Sequence, residues 1–350
     1  MKLTNLKFKL PEELIATHPL EERDESRLMI VDRETKKIEH LIFKDIVKFF
    51  NKDDVLVLNN SRVIPAKLIG NKEKTGAKIE VLLLRELNKE QKLWDVLVEP
   101  ARKIRIGNKI HFKKNNIDLI AEVIDNTTNR GRTIRFLHDG DYESFKEQLF
   151  ALGKIPLPKF IKREAEDIDY EKYQTVFATV DGSIISPSAG LHFSKNLLMK
   201  LELLDVKIVY ITLHSSLYNF KQIEVEDITK HKPESEQYII PEESCEIINN
   251  AKRNGKNIFA VGTSVVRALE SSLTTDGFLK ANNSWTNKFI CPPYTFNIPT
   301  RLITGFHLPC TIALLTTAVF CGYELLMQAY KIAINEKYRF GPYGDAMLII

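Results

Sequence analysis

Apolar residues are spaced in two different ways along this chain, and the change of spacing divides it. Over the first 66 residues, short apolar runs alternate with helix-like spacing. Residues 28–31 and 55–58 read as strands, residues 43–50 as a helix, and Pro11-Glu12-Glu13-Leu14 as the opening of a short one. The run Val55-Leu56-Val57-Leu58 leads into a polar turn, Asn59-Asn60-Ser61-Arg62. Polar and basic groups just past a strand's carboxyl end are where α/β proteins hold ligands.

From residue 67 to 153 the pattern becomes strand after strand, at 77–84, 93–98, 109–112, 119–124 and 133–137. Asn88, Gly107, Asn115-Asn116 and Asn129-Arg130-Gly131 supply the turns between them. Short strands at this spacing predict a small β-barrel or sandwich. Residues 144–152 read as a closing helix and Ile155-Pro156-Leu157-Pro158 as the return linker. Alternation of strands and helices then resumes. Ser194 is placed to cap a helix with Leu197, Leu198 and Leu201 on one face, followed by a strand at 206–213. Pro241 starts a helix with Glu242 and Glu243 in its first turn and Gly255 just past its end. A strand at 258–261 turns through Gly262-Thr263-Ser264 into a helix carrying Arg267, and residues 311–330 form apolar helix joined at Cys321-Gly322. The expected organisation is a discontinuous α/β domain, 1–66 with 154–350, interrupted by a β domain at 67–153.

Composition narrows the class without choosing a function. With 350 residues, 44% hydrophobic and 27% charged, the chain has the make-up of an ordinary globular protein. No apolar run approaches the roughly 20 residues that span a bilayer, and the start lacks a secretory pattern, so a cytoplasmic protein is expected. Cys245, Cys291, Cys310 and Cys321 include no Cys-x-x-Cys pair and read as reduced thiols. A net charge of +4 does not announce a nucleic-acid binder, so local clusters matter more.

Candidate chemistry gathers at element ends. The loop from Gly182 to Phe193 contains Pro187, Gly190 and His192 and feeds a helix N-terminus, which suits an anionic or polar ligand. Gly190 is expected to serve through its backbone freedom, and His192 to titrate near neutral pH. His214 follows a strand, Arg267 lies on a helix after one, and His307 sits in Gly305-Phe306-His307-Leu308-Pro309. Four such groups at element ends point to one shared cleft. A zinc site built from His192, His214, His231 and Glu236 would have the right donor atoms, but there is no His-x-x-x-His on a helix and no short Cys pair. In the β domain, Arg102, Lys103 and Arg105 follow a strand and form a cluster suited to backbone phosphates.

Longer motifs carry a resemblance. They are Arg23-Asp24-Glu25-Ser26-Arg27-Leu28, Leu58-Asn59-Asn60-Ser61-Arg62-Val63-Ile64-Pro65-Ala66, and Trp94-Asp95-Val96-Leu97-Val98-Glu99-Pro100-Ala101-Arg102-Lys103. Tyr173-Gln174-Thr175-Val176-Phe177-Ala178, Ala189-Gly190-Leu191-His192-Phe193, Thr212-Leu213-His214 and Tyr343-Gly344-Asp345-Ala346-Met347-Leu348-Ile349 continue the series. In this order, over essentially the whole length, the chain resembles the S-adenosylmethionine:tRNA ribosyltransferase-isomerase family. The resemblance implies a barrel-like α/β main domain with an inserted small β-barrel. It implies transfer and isomerisation of the ribosyl part of S-adenosylmethionine onto 7-aminomethyl-7-deazaguanine (preQ1) at the tRNA wobble position, giving epoxyqueuosine-tRNA, adenine and methionine. S-adenosylmethionine is then a co-substrate, no metal or other cofactor is expected, and the partners are tRNA and that nucleoside, with a monomeric chain and no membrane.

For such chemistry the sulfonium acidifies the adjacent C5′ proton, which a histidine base can remove. His192 and His214 are the candidates for proton transfer, Arg267 and His307 for holding oxygen or carboxylate groups, and Asp345 for meeting a cationic amine. Ser188, Gly190, Glu236 and Thr263 are candidate substrate contacts. Arg62, with Arg102, Lys103 and Arg105, is a candidate for tRNA phosphate.

The motif cores depart from the family's usual form. Ile185-Ser186-Pro187-Ser188, Ser215-Ser216-Leu217-Tyr218-Asn219-Phe220, Gly262-Thr263-Ser264-Val265 and Pro309-Cys310-Thr311-Ile312 each replace familiar residues, and Pro233 stands in the segment that keeps His231, Lys232, Ser235 and Glu236. Tyr218 and Cys310 stand where the family has glycine and lysine. A catalytically weakened relative that still binds tRNA is therefore the rival expectation, with a metal-dependent hydrolase third.

Overall fold

A computed structural model describes residues 2–127, 131–216 and 222–350. The chain divides into two units, Met1–Arg62, Pro158–Arg163 and Tyr170–Ile350 in one, Val63–Leu157 with Glu164–Asp169 in the other.

The larger unit is built on a nine-stranded sheet. Its order is Asn282–Thr286, Glu236–Ile240, Lys207–Leu213, Val55–Asn59, Ile258–Val261, Arg301–Gly305, Ala346–Ile349, Arg27–Val31 and Ile38–Ile42. The third to sixth of these run parallel. Both faces are covered, which is why Val55–Asn59 is buried at every position and reads as a continuous apolar run, not an alternating one. Val55 and Val57 enter a core with Val209, Ile211, Leu302 and Met347; Leu56 and Leu58 face the other way onto Phe259, Phe193 and Leu201.

The helices sit where the sequence places them. Ser194 Oγ accepts the Leu197 amide at 3.1 Å and starts Lys195–Leu203. Glu242–Arg253 and Thr263–Ser271 follow their predicted starts. Ile312–Cys321 and Tyr323–Asn335 meet at an angle of 116° about Gly322, whose φ of 90° suits glycine. Among the described residues no single helix is long and apolar enough to cross a membrane.

One local reading is refined and another corrected. Residues 43–50 form a 3-10 helix, Phe43–Phe49, not an α-helix; only Phe43 and Ile46, at i and i+3, are fully buried. The polar segment after residue 58 is not a simple turn either. The strand runs on to Asn59 and a second one, Ser61–Val63, follows at once, in a two-stranded sheet with Val180–Ser183. Asn59 makes this possible by bonding across to the neighbouring strand, its Oδ1 accepting the Leu213 and Ser61 amides and its Nδ2 donating to the Leu213 carbonyl.

The smaller unit is a closed barrel of six antiparallel strands, in the order Gly131–Leu137, Leu93–Glu99, Lys78–Asn88, Lys67–Lys72, Lys109–Lys114 and Ile117–Asn126. Alternate side chains fill it, as with Trp94, Val96 and Val98. Lys67–Lys72 was hidden from the sequence pattern by its charged ends and by Gly70. At that position a Cβ would lie 2.7 Å from the His111 carbonyl oxygen and from the Phe112 ring. Helix Tyr142–Leu152 starts at Asp141, whose Oδ1 accepts the Ser144 amide, and buries Phe145 and Leu149.

Candidate active site

The strand directions bring the candidate residues of the larger unit to one edge of its sheet. The carboxyl ends of the parallel strands Lys207–Leu213, Val55–Asn59, Ile258–Val261 and Arg301–Gly305 share that edge. Ala346–Ile349 runs antiparallel to the last of these, pairing Gly305 with Ala346, and parallel to Arg27–Val31. Asp345 and Ser26 therefore stand at the same edge as His214, Thr263 and His307. Glu236 joins them as the first residue of a strand antiparallel to Lys207–Leu213. Among the described residues the groups fall into separate hydrogen-bonded nests along this edge.

His214 occupies the first nest. Its Nδ1 lies 2.7 Å from Ser61 Oγ, and Ser61 Oγ in turn donates to Ser183 Oγ at 2.8 Å. Ser183 Oγ also accepts the Ser215 amide at 2.8 Å. Gly182, with φ of 149°, leaves room for the imidazole: a Cβ there would stand 2.7 Å from the ring. Burial lowers the His214 pKa below its usual value, and the nearby Asp181 carboxylate opposes that shift. The ring is neutral at pH 7 and able to accept a proton.

Arg267 and Glu236 fill the second nest, reached from the first through Ser215 and Ser216. They form a buried ion pair, and Glu236 Oε1 also accepts the Ser216 amide at 2.6 Å. Burial lowers the Arg267 pKa to about 10, which leaves it charged at neutral pH. The carboxylate that Arg267 holds is thus the chain's own. Glu236 is correspondingly engaged with Arg267 and the main chain.

The third nest holds His192, Ser26 and Asp345. Ser26 Oγ lies 2.7 Å from His192 Nδ1, and the imidazole packs against Phe43 with ring centres 5.0 Å apart. Burial lowers the His192 pKa to about 4; Asp345 pulls it up, Arg339 and Arg23 push it down. Asp345 does meet a cation, but that cation is Arg339, whose Nη2 donates to Oδ1 at 2.9 Å. The Arg27 and Arg339 amides also donate to it, at Oδ1 and Oδ2 respectively. Beside His192 a pocket is lined by Pro19, Arg23, Ser26, Lys172, Arg339 and Tyr343.

His307 stands apart. Its Nε2 is 2.8 Å from Thr304 Oγ1, its amide donates to Tyr330 Oη at 2.9 Å, and burial lowers its pKa to about 4. Thr263 is the first residue of its helix, after Gly262 at φ 93°. Ser188 opens the 3-10 turn Ser188–His192.

Gly190 departs from its expected role. Its φ is not positive; what demands glycine is space, since a Cβ would lie 2.9 Å from Phe177 Cζ and 3.0 Å from Thr175 Cγ2. The Thr175–Phe177 stretch and Gly190 are thus two sides of one close contact. Cys310 is corrected too. It is buried in the apolar core with φ of 61°, and its thiol donates to the Leu6 carbonyl. Val265 is fully buried. Tyr218 lies outside the described residues. Of the departures that motivated a weakened enzyme, Cys310 and Val265 thus lie in packing positions. Among the described residues, no group of three or more His, Cys, Asp or Glu side chains could hold a metal ion, so His192, His214, His231 and Glu236 form no such set.

Of the basic candidates, Arg102, Lys103 and Arg105 are all exposed, at and after the turn Ala101–Lys103 in the barrel unit. Arg132, nearly buried, holds that turn by donating to the carbonyls of Ala101 and Ile104. Arg62 belongs to the larger unit, is half exposed, and approaches Asp181 at 3.9 Å. Sequence reasoning missed Ser61, Ser183 and Gly182 as partners of His214. All three lie in stretches it had singled out, but nothing in a linear pattern joins positions so far apart.

An open α/β sheet with neutral imidazoles along the edge formed by its parallel strands' carboxyl ends, joined in sequence to a closed barrel that bears a basic turn, defines the architecture of a two-unit α/β enzyme. Residues 3–349 match the family model described as queuosine biosynthesis protein, and the chain belongs to that family. It is 57% identical to the S-adenosylmethionine:tRNA ribosyltransferase-isomerase of Parabacteroides distasonis, and the match covers 100% of both chains. The enzyme of that name from Flavobacterium psychrophilum is 54% identical, again over 100% of both. A crystal structure of S-adenosylmethionine tRNA ribosyltransferase from Thermotoga maritima shares the fold with a TM-score of 0.55 at 30% identity, covering 99% of this chain and 100% of that one.

Proposed function

We propose that the protein is an S-adenosylmethionine:tRNA ribosyltransferase-isomerase of queuosine biosynthesis. It transfers and isomerises the ribosyl part of S-adenosylmethionine onto preQ1 at the tRNA wobble position, forming epoxyqueuosine-tRNA and releasing adenine and methionine. The observation that carries this reading is full-length identity of 57% to a protein of that name. The half-buried, neutral His214 at the sheet edge supplies a group fitted to the chemistry.

In this reading His214 removes the C5′ proton that the sulfonium acidifies. His192, held neutral by burial, serves proton transfer or hydrogen bonding beside its pocket. Arg267 and His307 present donors toward substrate oxygens, with Glu236 orienting Arg267 and Asp345 orienting Arg339. Thr263 offers a helix N-terminus, and Ser188 and Gly190 shape the turn that carries His192. Arg62, Arg102, Lys103 and Arg105 meet tRNA phosphate. In this reading the protein works in the cytoplasm, with tRNA and S-adenosylmethionine as its substrates.

The direct test incubates chelator-treated protein with S-adenosylmethionine and preQ1-bearing tRNA, followed by nucleoside analysis. Adenine release that requires the tRNA, with epoxyqueuosine in the product, is the expected result. Loss of activity on chelation that zinc restores, or adenine release indifferent to tRNA, would overturn the assignment.

A further inference from the structure

Ser61 is fully buried and has one proton to give. Its Oγ donates to Ser183 Oγ at 2.8 Å, so the 2.7 Å contact with His214 Nδ1 must be made by a proton on the imidazole. Ser183 is itself fully buried and fixed by the Ser215 amide, which holds its oxygen in place to accept from Ser61. Gly182 leaves the ring free to sit on this pair, because any side chain there would overlap it. Among the described residues no hydrogen bond is made to His214 Nε2.

We propose that Ser61, backed by Ser183, is a positioning residue that holds His214 in the tautomer protonated at Nδ1, so that Nε2 presents the lone pair of the base. This role rests on His214 being the base. The proton balance is simple: Nε2 takes the substrate proton and Nδ1 keeps its own. Ser61 accepts from Nδ1 before and after the transfer. The contact becomes charge-assisted once the ring is cationic, and so it strengthens as the proton moves. The arrangement is that of a base and its orienter, with a serine pair standing where other sites use a carboxylate.

Three measurements test it on the full-length enzyme. Nitrogen-15 spectra of histidine-labelled wild-type protein, with the His214→Gln spectrum identifying the resonances, should show His214 protonated at Nδ1 and bare at Nε2. Ser61→Ala should lower kcat for adenine release between about tenfold and a hundredfold, the range for a hydrogen bond to a charged group, with KM little changed. Ser183→Ala frees the Ser61 proton to turn toward the ring; it should shift His214 toward the Nε2-protonated form and lower kcat in the same direction. A wild-type ring protonated at Nε2, or folded Ser61→Ala and Ser183→Ala enzymes with native kcat, overturns the role of the serines. Full adenine release by His214→Gln removes His214 as the base, which is a separate failure that the serine variants do not mimic.

Discussion

At the scale of single residues, space around the imidazoles and their burial make two predictions. Gly182→Ala places a methyl group 2.7 Å from the His214 ring at a φ of 149°, so the ring must leave its seat on Ser61. Adenine release should fall at least tenfold while circular dichroism stays native; unchanged kinetics would show that the ring's seat is irrelevant. His192 predicts a pH dependence of stability. Its pKa is lowered from 6.5 to about 4 by burial. Above pH 6.5 folded and unfolded chains both carry a neutral ring, and the native form keeps its full advantage. As pH falls from 6.5 toward 4, only the unfolded chain takes up the proton, so this residue removes up to about 1.4 kcal/mol per pH unit. Denaturant unfolding at pH 7 and at pH 4.5 should show the loss, and His192→Gln should show less of it. An identical loss in the variant would mean that His192 does not titrate this way.

At the scale of elements, the 3-10 turn Ser188–His192 and the helix after it act as one carrier for His192. The turn is pinned by the contact of Gly190 with Phe177 and Thr175, and Ser194 both caps the helix and donates to Asp24. Gly190→Ala forces that contact apart and should destabilise the protein by about 1–3 kcal/mol, as overpacking does. Ser194→Ala should cost about 1 kcal/mol through the lost cap. Urea unfolding measures both, and an effect of Gly190→Ala smaller than that of Ser194→Ala would contradict the close packing described here.

At the scale of the whole molecule, a net charge of +4 is too small to attract a polyanion by itself, so phosphate binding must be local. In the proposed reading the exposed Arg102, Lys103 and Arg105 are the local source in the barrel unit. Replacing each in turn by Ala should weaken tRNA binding and reduce the slope of log affinity against log salt by about one. Slopes equal to wild type in all three variants would return the turn to a merely solvated one. Arg62 is tested separately, because its approach to Asp181 gives it a structural partner.

Much of this architecture was legible in the chain itself. Continuous apolar runs such as Val55–Leu58 mark strands covered on both faces, and Ser194 and Gly322 mark helix ends by local chemistry that acts over three or four residues. The long motifs located the functional stretches as well. Local pattern failed where a distant strand set the rule. Gly70 is glycine because Ile110–Phe112 passes behind it, and Gly190 because Phe177 does. The partners of the charged groups were equally invisible: Glu236 with Arg267, Arg339 with Asp345, and Ser61 and Ser183 with His214. Sequence by itself determined the continuous apolar strands, some of the helix ends and the candidate bases. Only the tertiary structure decided which partners His214 is given, because a hydrogen bond depends on a few tenths of an ångström between atoms that the chain keeps more than a hundred residues apart.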